Sequence, residues 1–262
     1  MVSLQSEPPP HIDEHGGDSA SPTLVLLHGL GATADVWRPL LDTCDWPGRI
    51  VAPDLRGHGS AEWRDRYSFG AMATDVAAVL AHNEPFVVLG HSLGGVVGLA
   101  LASGSFGPPP LGVATLGIKI RWTEEEVGRL PGLAARPPRR FATRAEAADW
   151  FLKLAGLYGF AAADDSVVDR GVIEENHPDG NWRAAQDPRS VLVGAPNLMS
   201  LLGAVEIPLA MALGVDDPLV EVDHHLDLDR ELGPHVFEAV GHNAMFEKPE
   251  AVWDWFRSLP FS

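Results

Sequence analysis

Apolar runs closed by glycine alternate along this chain with segments of ten or more residues that have helical spacing. The first three runs are residues 23–29 (TLVLLHG), 49–59 (RIVAPDLRGHG) and 86–90 (FVVLG). They lack polar/apolar alternation, which is typical of strands buried on both faces. Strands of this kind joined by helices form a mostly parallel sheet covered on both sides. The pattern recurs at 112–118, 207–217 and 235–241, so we predict an α/β fold that uses both ends of the chain.

The alternation stops near residue 121. From there to about residue 189 no strong strand signal occurs, and the segments 123–126 (TEEE) and 143–146 (TRAE) have the spacing of helix capping boxes. Residues 164–176 have weaker helical character. We therefore predict an all-helical insertion, a cap of residues 121–189. The rest of the domain is then a core made of residues 21–120 and 190–262.

One serine lies between a predicted buried strand and a predicted helix. The strand at 86–90 runs into Gly90-His91-Ser92-Leu93-Gly94. A G-x-S-x-G sequence in this setting is the pattern of a nucleophile elbow. Glycine two residues before and two after the serine removes side chains that would collide in the tight turn. The following helix directs its N-terminal N–H groups at the same spot. We predict Ser92 as a nucleophile.

A serine hydroxyl needs a base, and the base needs an acid that orients it. The elbow predicts the chain order serine, acid, histidine. Asp216 and Asp217 follow one late strand, and His242 follows the last one. These positions lie at the carboxyl ends of strands, where open parallel sheets place their sites. The order leaves both aspartates open as the acid.

Five motifs in order make the chain resemble the α/β-hydrolase family over residues 23–120 and 205–258. The motifs are HGLG (28–31), PDLRGHG (53–59), GHSLGG (90–95), GVDDPL (214–219) and GHNAMFEKPE (241–250). The resemblance implies an α/β-hydrolase fold, with helices on both faces of the sheet and the helical insertion as the family's cap. A serine at the nucleophile position disfavours dehalogenase and epoxide hydrolase chemistry, for which the family uses aspartate.

The resemblance also assigns roles within the predicted site. Family loops of the form G-x-x-D favour Asp217 over Asp216 as the acid. The backbone N–H groups of Leu30 and Leu93 correspond to the oxyanion hole. The expected function is that of a cofactor-free serine hydrolase, with no metal, which cleaves a small or medium acyl substrate, a carboxylic ester or lactone. Hydrolysis of a C–C bond in a β-diketone-like substrate, and ligand binding without catalysis, are the alternatives.

Apolar and aromatic side chains of the cap are expected to form the roof of the pocket, since such sites are mostly apolar. The candidates in the cap are Trp122, Trp150, Leu154 and Tyr158, and His91 of the elbow, expected to pack beside the site, is the candidate from the core. Lys119 and Arg121 lie where the chain enters the cap, and they are equally consistent with solvated cations and with contact to an anionic substrate group.

Composition limits the partners. Asp and Glu number 36 against 19 Lys and Arg, and the formal net charge of −17 argues against nucleic acid and anionic membrane surfaces. No secretion signal or long apolar run is evident, so a cytoplasmic protein is expected. The single cysteine, Cys44, allows no intramolecular disulfide. Residues 1–20 are predicted to form a flexible arm or a degraded edge strand. The sequence leaves open whether the protein is a monomer or a homodimer.

Overall fold

The computed structural model describes residues 11–14, 18, 20–81, 84–228 and 233–261. Within these residues the strands, in chain order, are β1 (His11–Glu14), β2 (Thr23–Leu27), β3 (Ile50–Pro53), β4 (Phe86–His91), β5 (Val113–Leu116), β6 (Arg140–Phe141), β7 (Val172–Glu174), β8 (Trp182–Ala184), β9 (Leu209–Gly214) and β10 (His235–Phe237). The helices are α1 (Arg38–Leu41), α2 (Phe69–Ala77), α3 (Leu93–Ala102), α4 (Glu124–Ala134), α5 (Arg144–Leu154), α6 (Leu198–Gly203), α7 (Val222–Leu226), α8 (Ala244–Glu247) and α9 (Pro249–Arg257).

Seven strands form the central sheet in the order β1-β3-β2-β4-β5-β9-β10. All neighbouring strands are parallel except β1, which runs antiparallel to β3. The α/β fold with a mostly parallel sheet is therefore confirmed. Among the described residues, no helix is both long enough and apolar enough to span a membrane.

Each central strand supplies both faces of the sheet, which explains its continuous apolar sequence. In β2, Leu24 and Leu26 belong to one apolar core, whereas Val25 and Leu27 belong to the other. Side chains alternate across a strand, so a strand covered on both faces needs apolar residues at every position. Helices α2 and α3 cover one face, and α1, α8 and α9 cover the other.

The predicted N-terminal arm is part of the sheet at four residues. His11–Glu14 pair with β3 in antiparallel register, with Ile12 opposite Ala52. The expectation of a flexible arm is thus wrong for this stretch, where the edge-strand alternative holds. Without β1, strand β3 would present an unpaired row of backbone polar groups. Apart from residues 18 and 20, the rest of the predicted arm lies outside the described residues.

The cap is not all-helical, which corrects the sequence-based expectation. Both predicted capping boxes are present, at Thr123 and Thr143, and they begin α4 and α5. However, β6, β8 and β7 form a three-stranded antiparallel sheet. Segment 164–176 contains a short 3₁₀ turn and β7 instead of a helix. Gly171 approaches the ring of Phe151 so closely that a Cβ there would collide with it. Strands of two or three residues are too short to show a period-2 pattern.

A buried electrostatic contact joins the cap to the core. Arg170 of the cap places its guanidinium Nη1 3.3 Å from Asp54 Oδ2 and its Nε 3.5 Å from Asp35 Oδ1. Both carboxylates are fully buried and belong to loops at the carboxyl end of the sheet. Asp35 also pairs with Arg38 at 2.8 Å, whereas Arg170 is the cation that faces Asp54. A buried carboxylate needs such a partner, so Arg170 fixes this part of the cap on the core.

Two further contacts hold the same half of the cap. The Tyr67 hydroxyl donates to Asp187 Oδ2 at 2.6 Å, and both residues are buried. On the opposite side, Asn243 Nδ2 donates to the carbonyl oxygens of Ala155 and Gly156, just after α5. Helix α4 differs, because it contains no buried residue. The cap therefore has an anchored half and a lightly packed helix.

Candidate active site

Ser92 occupies a strained turn between β4 and α3. Its φ is 49° and its ψ is −114°, in the positive-φ region that residues other than glycine rarely adopt. A Cβ at Gly90 would lie 2.5 Å from the Gly94 carbonyl oxygen, and a Cβ at Gly94 would lie 2.2 Å from the Leu27 carbonyl oxygen. The glycines of the elbow therefore provide the close approach of backbones that the turn requires. Ser92 stands at the carboxyl end of the sheet, partly exposed.

An aspartate–histidine pair stands at the same edge of the sheet. Asp217 Oδ2 lies 2.7 Å from His242 Nδ1. The carboxylate side chain is fully buried, and its Oδ1 accepts the backbone N–H of Leu219. Asp216, the other sequence candidate, is exposed. The hydrogen bond to the carboxylate fixes the His242 ring with Nδ1 protonated, which leaves Nε2 as the basic nitrogen.

The loop that carries His242 is held by an acidic residue that the sequence reasoning did not single out. Glu247 in α8 accepts the backbone N–H groups of Gly241 and Asn243, at 2.7 and 3.0 Å. These are the residues on either side of His242. Glu247 lies in the motif 241–250, which contributes to the resemblance to the family. The motif did not by itself indicate a role for this residue.

His91 lies behind His242 and not in a substrate pocket. It is buried, and its Nε2 lies 2.9 Å from the carbonyl oxygen of His242. The two rings contact edge to face with centroids 4.6 Å apart. Burial, aided by the nearby His242, holds the pKa of His91 well below its usual value. The expectation that His91 lines the pocket is therefore corrected: His91 supports the loop of His242.

Leu30 and Leu93 are the residues predicted to supply the oxyanion N–H groups. Leu93 is the first residue of α3, and Leu30 follows β2 in the HGLG loop. Within the described residues, neither backbone N–H donates to a protein acceptor. His28 shapes this loop: its Nδ1 donates to the Gly29 carbonyl oxygen at 2.8 Å, and its Nε2 accepts the N–H of Leu55 at 2.9 Å. Burial lowers the pKa of His28 to about 4, so the ring is neutral at pH 7.

A small apolar cavity of about 90 Å³ adjoins Ser92. Trp122 is the predicted pocket residue that lines this cavity. Its lining also includes residues that the sequence does not distinguish from ordinary residues of the hydrophobic core, among them Phe69, Leu130, Val191 and Val193. Lys119 reaches this cavity too, but it forms an ion pair with Glu126 of α4. Arg121 pairs with Asp227 and lies outside the cavity.

A larger cavity of about 460 Å³ lies between the cap and the HGLG loop, and it shares Leu30 and Val191 with the small one. Trp150 and Leu154, two of the predicted pocket residues, line this larger cavity, whereas Ser92 does not. Tyr158 lines neither cavity. It is 58% exposed, and Lys153 Nζ lies 4.5 Å from the centre of its ring. Helix α5 is followed by a left-handed turn at Gly156, with a φ of 72°, and the exposed Tyr158 does not have the pocket role expected of it.

No group of three or more His, Cys, Asp or Glu side chains able to hold a metal ion occurs in the part of the chain that the structure describes. The adjacent His224 and His225 do not converge. His224 Nε2 lies 3.5 Å from a Glu221 carboxylate oxygen, whereas His225 is buried with its Nδ1 beside the Glu221 carbonyl oxygen.

Comparison with known proteins agrees with this architecture. The model of the alpha/beta hydrolase family matches residues 24–255, which is most of the chain. The chain belongs to the α/β-hydrolase family. Among solved structures, E-2-(acetamidomethylene)succinate hydrolase superposes with a TM-score of 0.76 at 20% identity, covering 95% of this chain and 94% of that one. At this identity the likeness shows the α/β-hydrolase fold alone.

Curated relatives of this α/β hydrolase match over shorter stretches. The magnesium-chelatase 30 kDa subunit of Rhodobacter capsulatus is 36% identical over 101 residues, 37% of this chain and 36% of that protein. Protein phosphatase methylesterase 1 of Bos taurus is 29% identical over 163 residues, 57% of this chain and 42% of that protein. The matches thus span less than half of each relative. The two names also differ in activity, so family membership does not fix the reaction.

Proposed function

We propose that this chain is a serine hydrolase that cleaves a carboxylic ester or lactone of a small or medium acyl group through an acyl-enzyme. One observation carries the proposal. Strained Ser92 and the hydrogen-bonded pair of Asp217 and His242 stand at the same carboxyl edge of one parallel sheet. A strained backbone conformation costs free energy, and such conformations are concentrated at functional sites.

The residues would act in sequence. Ser92 Oγ attacks the ester carbonyl carbon, and its proton passes to His242 Nε2. The negative charge on the carbonyl oxygen is stabilised by the N–H groups of Leu30 and Leu93. His242 then gives its proton to the leaving alcohol, and the C–O bond breaks. Water, deprotonated by His242, attacks the acyl-enzyme and releases the acid and free Ser92.

Asp217 is proposed as the acid that orients His242 and stabilises its protonated form. The Asp217 carboxylate already accepts a hydrogen bond from His242 Nδ1, whereas the exposed Asp216 makes no such contact. The Ser92 hydroxyl makes no hydrogen bond to any residue that the structure describes. Catalytic hydrogen bonds of this kind often become short only when substrate binds, so the proposal does not require it beforehand.

One observation favours an ester with a short acyl group. The cavity beside Ser92 is apolar and small, about 90 Å³, which is room for a few carbon atoms. A curated relative of similar sequence is named a methylesterase, which supports an ester as the class of substrate.

The test compares wild type with Ser92→Ala on 4-nitrophenyl acetate and butyrate, together with labelling by a fluorophosphonate. We expect hydrolysis and labelling by wild type and neither by the variant. If wild type is labelled at Ser92 but hydrolyses neither ester, C–C bond hydrolysis becomes the better assignment. If wild type is neither active nor labelled, the proposal is wrong and ligand binding without catalysis replaces it.

A further inference from the structure

Two cations that line the larger cavity have no acidic partner among the residues that the structure describes. They are Arg136 and Arg139, which are exposed and lie in the segment that joins α4 to β6. Of the arginines that the structure describes, only Arg66, Arg136 and Arg139 form no ion pair. In a chain with 36 acidic and 19 basic residues, an unpaired arginine is unusual, and two of the three occur together here.

The rest of the cavity supplies no competing charge. Its lining contains no Asp or Glu, and most of it is apolar, including Trp150, Leu154 and three prolines. Apart from the Trp150 indole, the uncharged polar side chain in the lining is that of Gln186. Its Nε2 already donates a hydrogen bond to Ser190 Oγ. A molecule in this cavity would therefore meet an apolar wall and two guanidinium groups.

Aromatic rings orient one of these groups. The guanidinium carbon of Arg139 lies 5.0 Å from the centre of the Phe141 ring and 4.8 Å from that of Trp150. Stacking of this kind limits the motion of the planar group and leaves its N–H edge free. A planar fork of N–H donors fits the oxygens of a carboxylate or a phosphate.

From this arrangement we infer that the substrate bears an anionic group, a carboxylate or phosphate, which Arg136 and Arg139 bind while its ester lies at Ser92. The inference builds on the proposed function, since it names the substrate class of that site. The two cavities are neighbours, since Leu30 and Val191 line both, and this adjacency supports the inference. The ester end enters the small apolar cavity, and the chain between the two ends lies along the apolar wall.

A structural role for the two arginines is the competing explanation. Arg136 follows the C-terminus of α4, where a cation is favourable, and Arg139 could serve only to pack on the rings. Such a role predicts that replacing them lowers the stability of the cap but leaves the choice between neutral and anionic substrates unchanged. The experiment therefore measures a ratio of two substrates.

The substrates are matched in chain length. Methyl hexanoate is neutral, monomethyl adipate carries a carboxylate at the far end of the acyl chain, and methyl 6-phosphonooxyhexanoate carries a phosphate there. Hexyl acetate is neutral, and 6-acetoxyhexanoate carries a carboxylate at the far end of the alcohol chain.

The measured quantity is the ratio of kcat/KM for each anionic ester to kcat/KM for its neutral match. It is measured for wild type and for the double variant Arg136→Gln/Arg139→Gln. Arg66→Gln, which removes an exposed unpaired arginine outside both cavities, is the control.

We expect at least one anionic ester to lose about tenfold in this ratio in the double variant, the size of one lost hydrogen bond to a charged group. The ratio should remain as in wild type in Arg66→Gln. The ester that responds shows which anion is bound and on which side of the scissile bond. Equal ratios in all three proteins, for every pair, would overturn the inference.

A measurement of binding tests the anion site independently of the proposed hydrolysis. In a Ser92→Ala background, the affinity for monomethyl adipate and for 6-acetoxyhexanoate is measured with and without the two arginine changes. If wild type hydrolyses no ester but Ser92→Ala binds an anionic ester more tightly with the arginines than without, the reaction is wrong and the anion site stands. If affinity is the same with and without them, the anion site is wrong.

Discussion

His91 Nε2 donates a hydrogen bond to the carbonyl oxygen of His242, while its ring packs edge to face against the ring of the same residue. A carbonyl oxygen only accepts, so the donor nitrogen of His91 must be Nε2, and Nδ1 carries no proton. That Nδ1 is buried with no partner among the described residues. Neutral His91 thus holds both the backbone and the ring of the proposed base.

We predict that His91→Leu lowers kcat with little change in KM. A small displacement of a catalytic group costs up to about 100-fold in rate, and the neighbouring groups of His242 remain intact. His91→Gln, which keeps an N–H donor, should recover part of the loss. The control is His177→Leu in an exposed part of the cap, which should match wild type. A role in packing alone would be indicated by reduced stability with unchanged kcat.

Asp217→Asn should reduce kcat/KM by roughly 10⁴-fold, because an amide would favour the wrong tautomer of His242. Asp216→Asn should leave it within about twofold, since the Asp216 side chain is exposed and contacts no residue of the proposed triad. Steady-state kinetics on 4-nitrophenyl butyrate measure both. Similar losses in the two variants would show that the acid is wrongly assigned.

Most residues of the proposed catalytic site can be identified from the sequence alone. Ser92 and His242 lie in motifs with strong local constraints, since a tight strand-to-helix turn accepts few residues. The order of residues left Asp216 and Asp217 open, and only the resemblance favoured Asp217. The loop conformation shows the physical reason, because it places the Asp217 carboxylate against His242 and leaves Asp216 exposed. His91 lies inside the elbow motif, yet its support of His242 spans 151 positions and has no local signature.

The cap was the least predictable part of the chain. Its α-helices carry capping boxes, which are local signals. Its strands have two or three residues and form through pairing between distant segments. Tyr158 looked like a pocket aromatic by composition, but it is exposed after the turn at Gly156. The unpaired state of Arg136 and Arg139 depends on where every nearby carboxylate points, which no sequence pattern reveals.

Stability should fall as the pH is lowered from 6.5 towards 4. The unfolded chain takes up a proton at His28 and His58 near pH 6.5, whereas burial lowers the folded pKa of His28 to about 4 and of His58 to about 3. The unfolded state therefore binds more protons in this window, and stability is lost as the pH falls. Each histidine contributes about 2 kcal/mol of the loss between pH 7.5 and pH 5.

Urea unfolding at pH 7.5 and pH 5 measures this loss, and His28→Gln provides the comparison. Glutamine keeps an acceptor for the Leu55 N–H but does not titrate, so the variant should lose about 2 kcal/mol less on acidification than wild type. An equal loss in both proteins would show that His28 is not one of the groups responsible.

Arg170→Gln should lower the free energy of unfolding by about 3 kcal/mol, because it leaves the buried carboxylate of Asp54 without a cation, whereas Asp35 keeps its pair with Arg38. Arg129→Gln is the matched control, since it breaks an exposed pair with Glu125 inside α4 and should cost less than about 0.5 kcal/mol. Denaturant unfolding of both variants at pH 7.5 checks the difference. Equal costs would mean that Arg170 does not anchor the cap.

The uneven attachment of the cap has a consequence for how this protein can diversify. Arg170, the Tyr67–Asp187 contact and Asn243 tie residues 140–190 into the folding unit of the core. Residues 121–139 contribute side chains to both cavities, yet α4 buries none of its own. Sequence change there would alter what reaches Ser92 with little penalty in stability. This stretch is a natural cassette for exchange between homologues and the first place to randomise when a new specificity is sought.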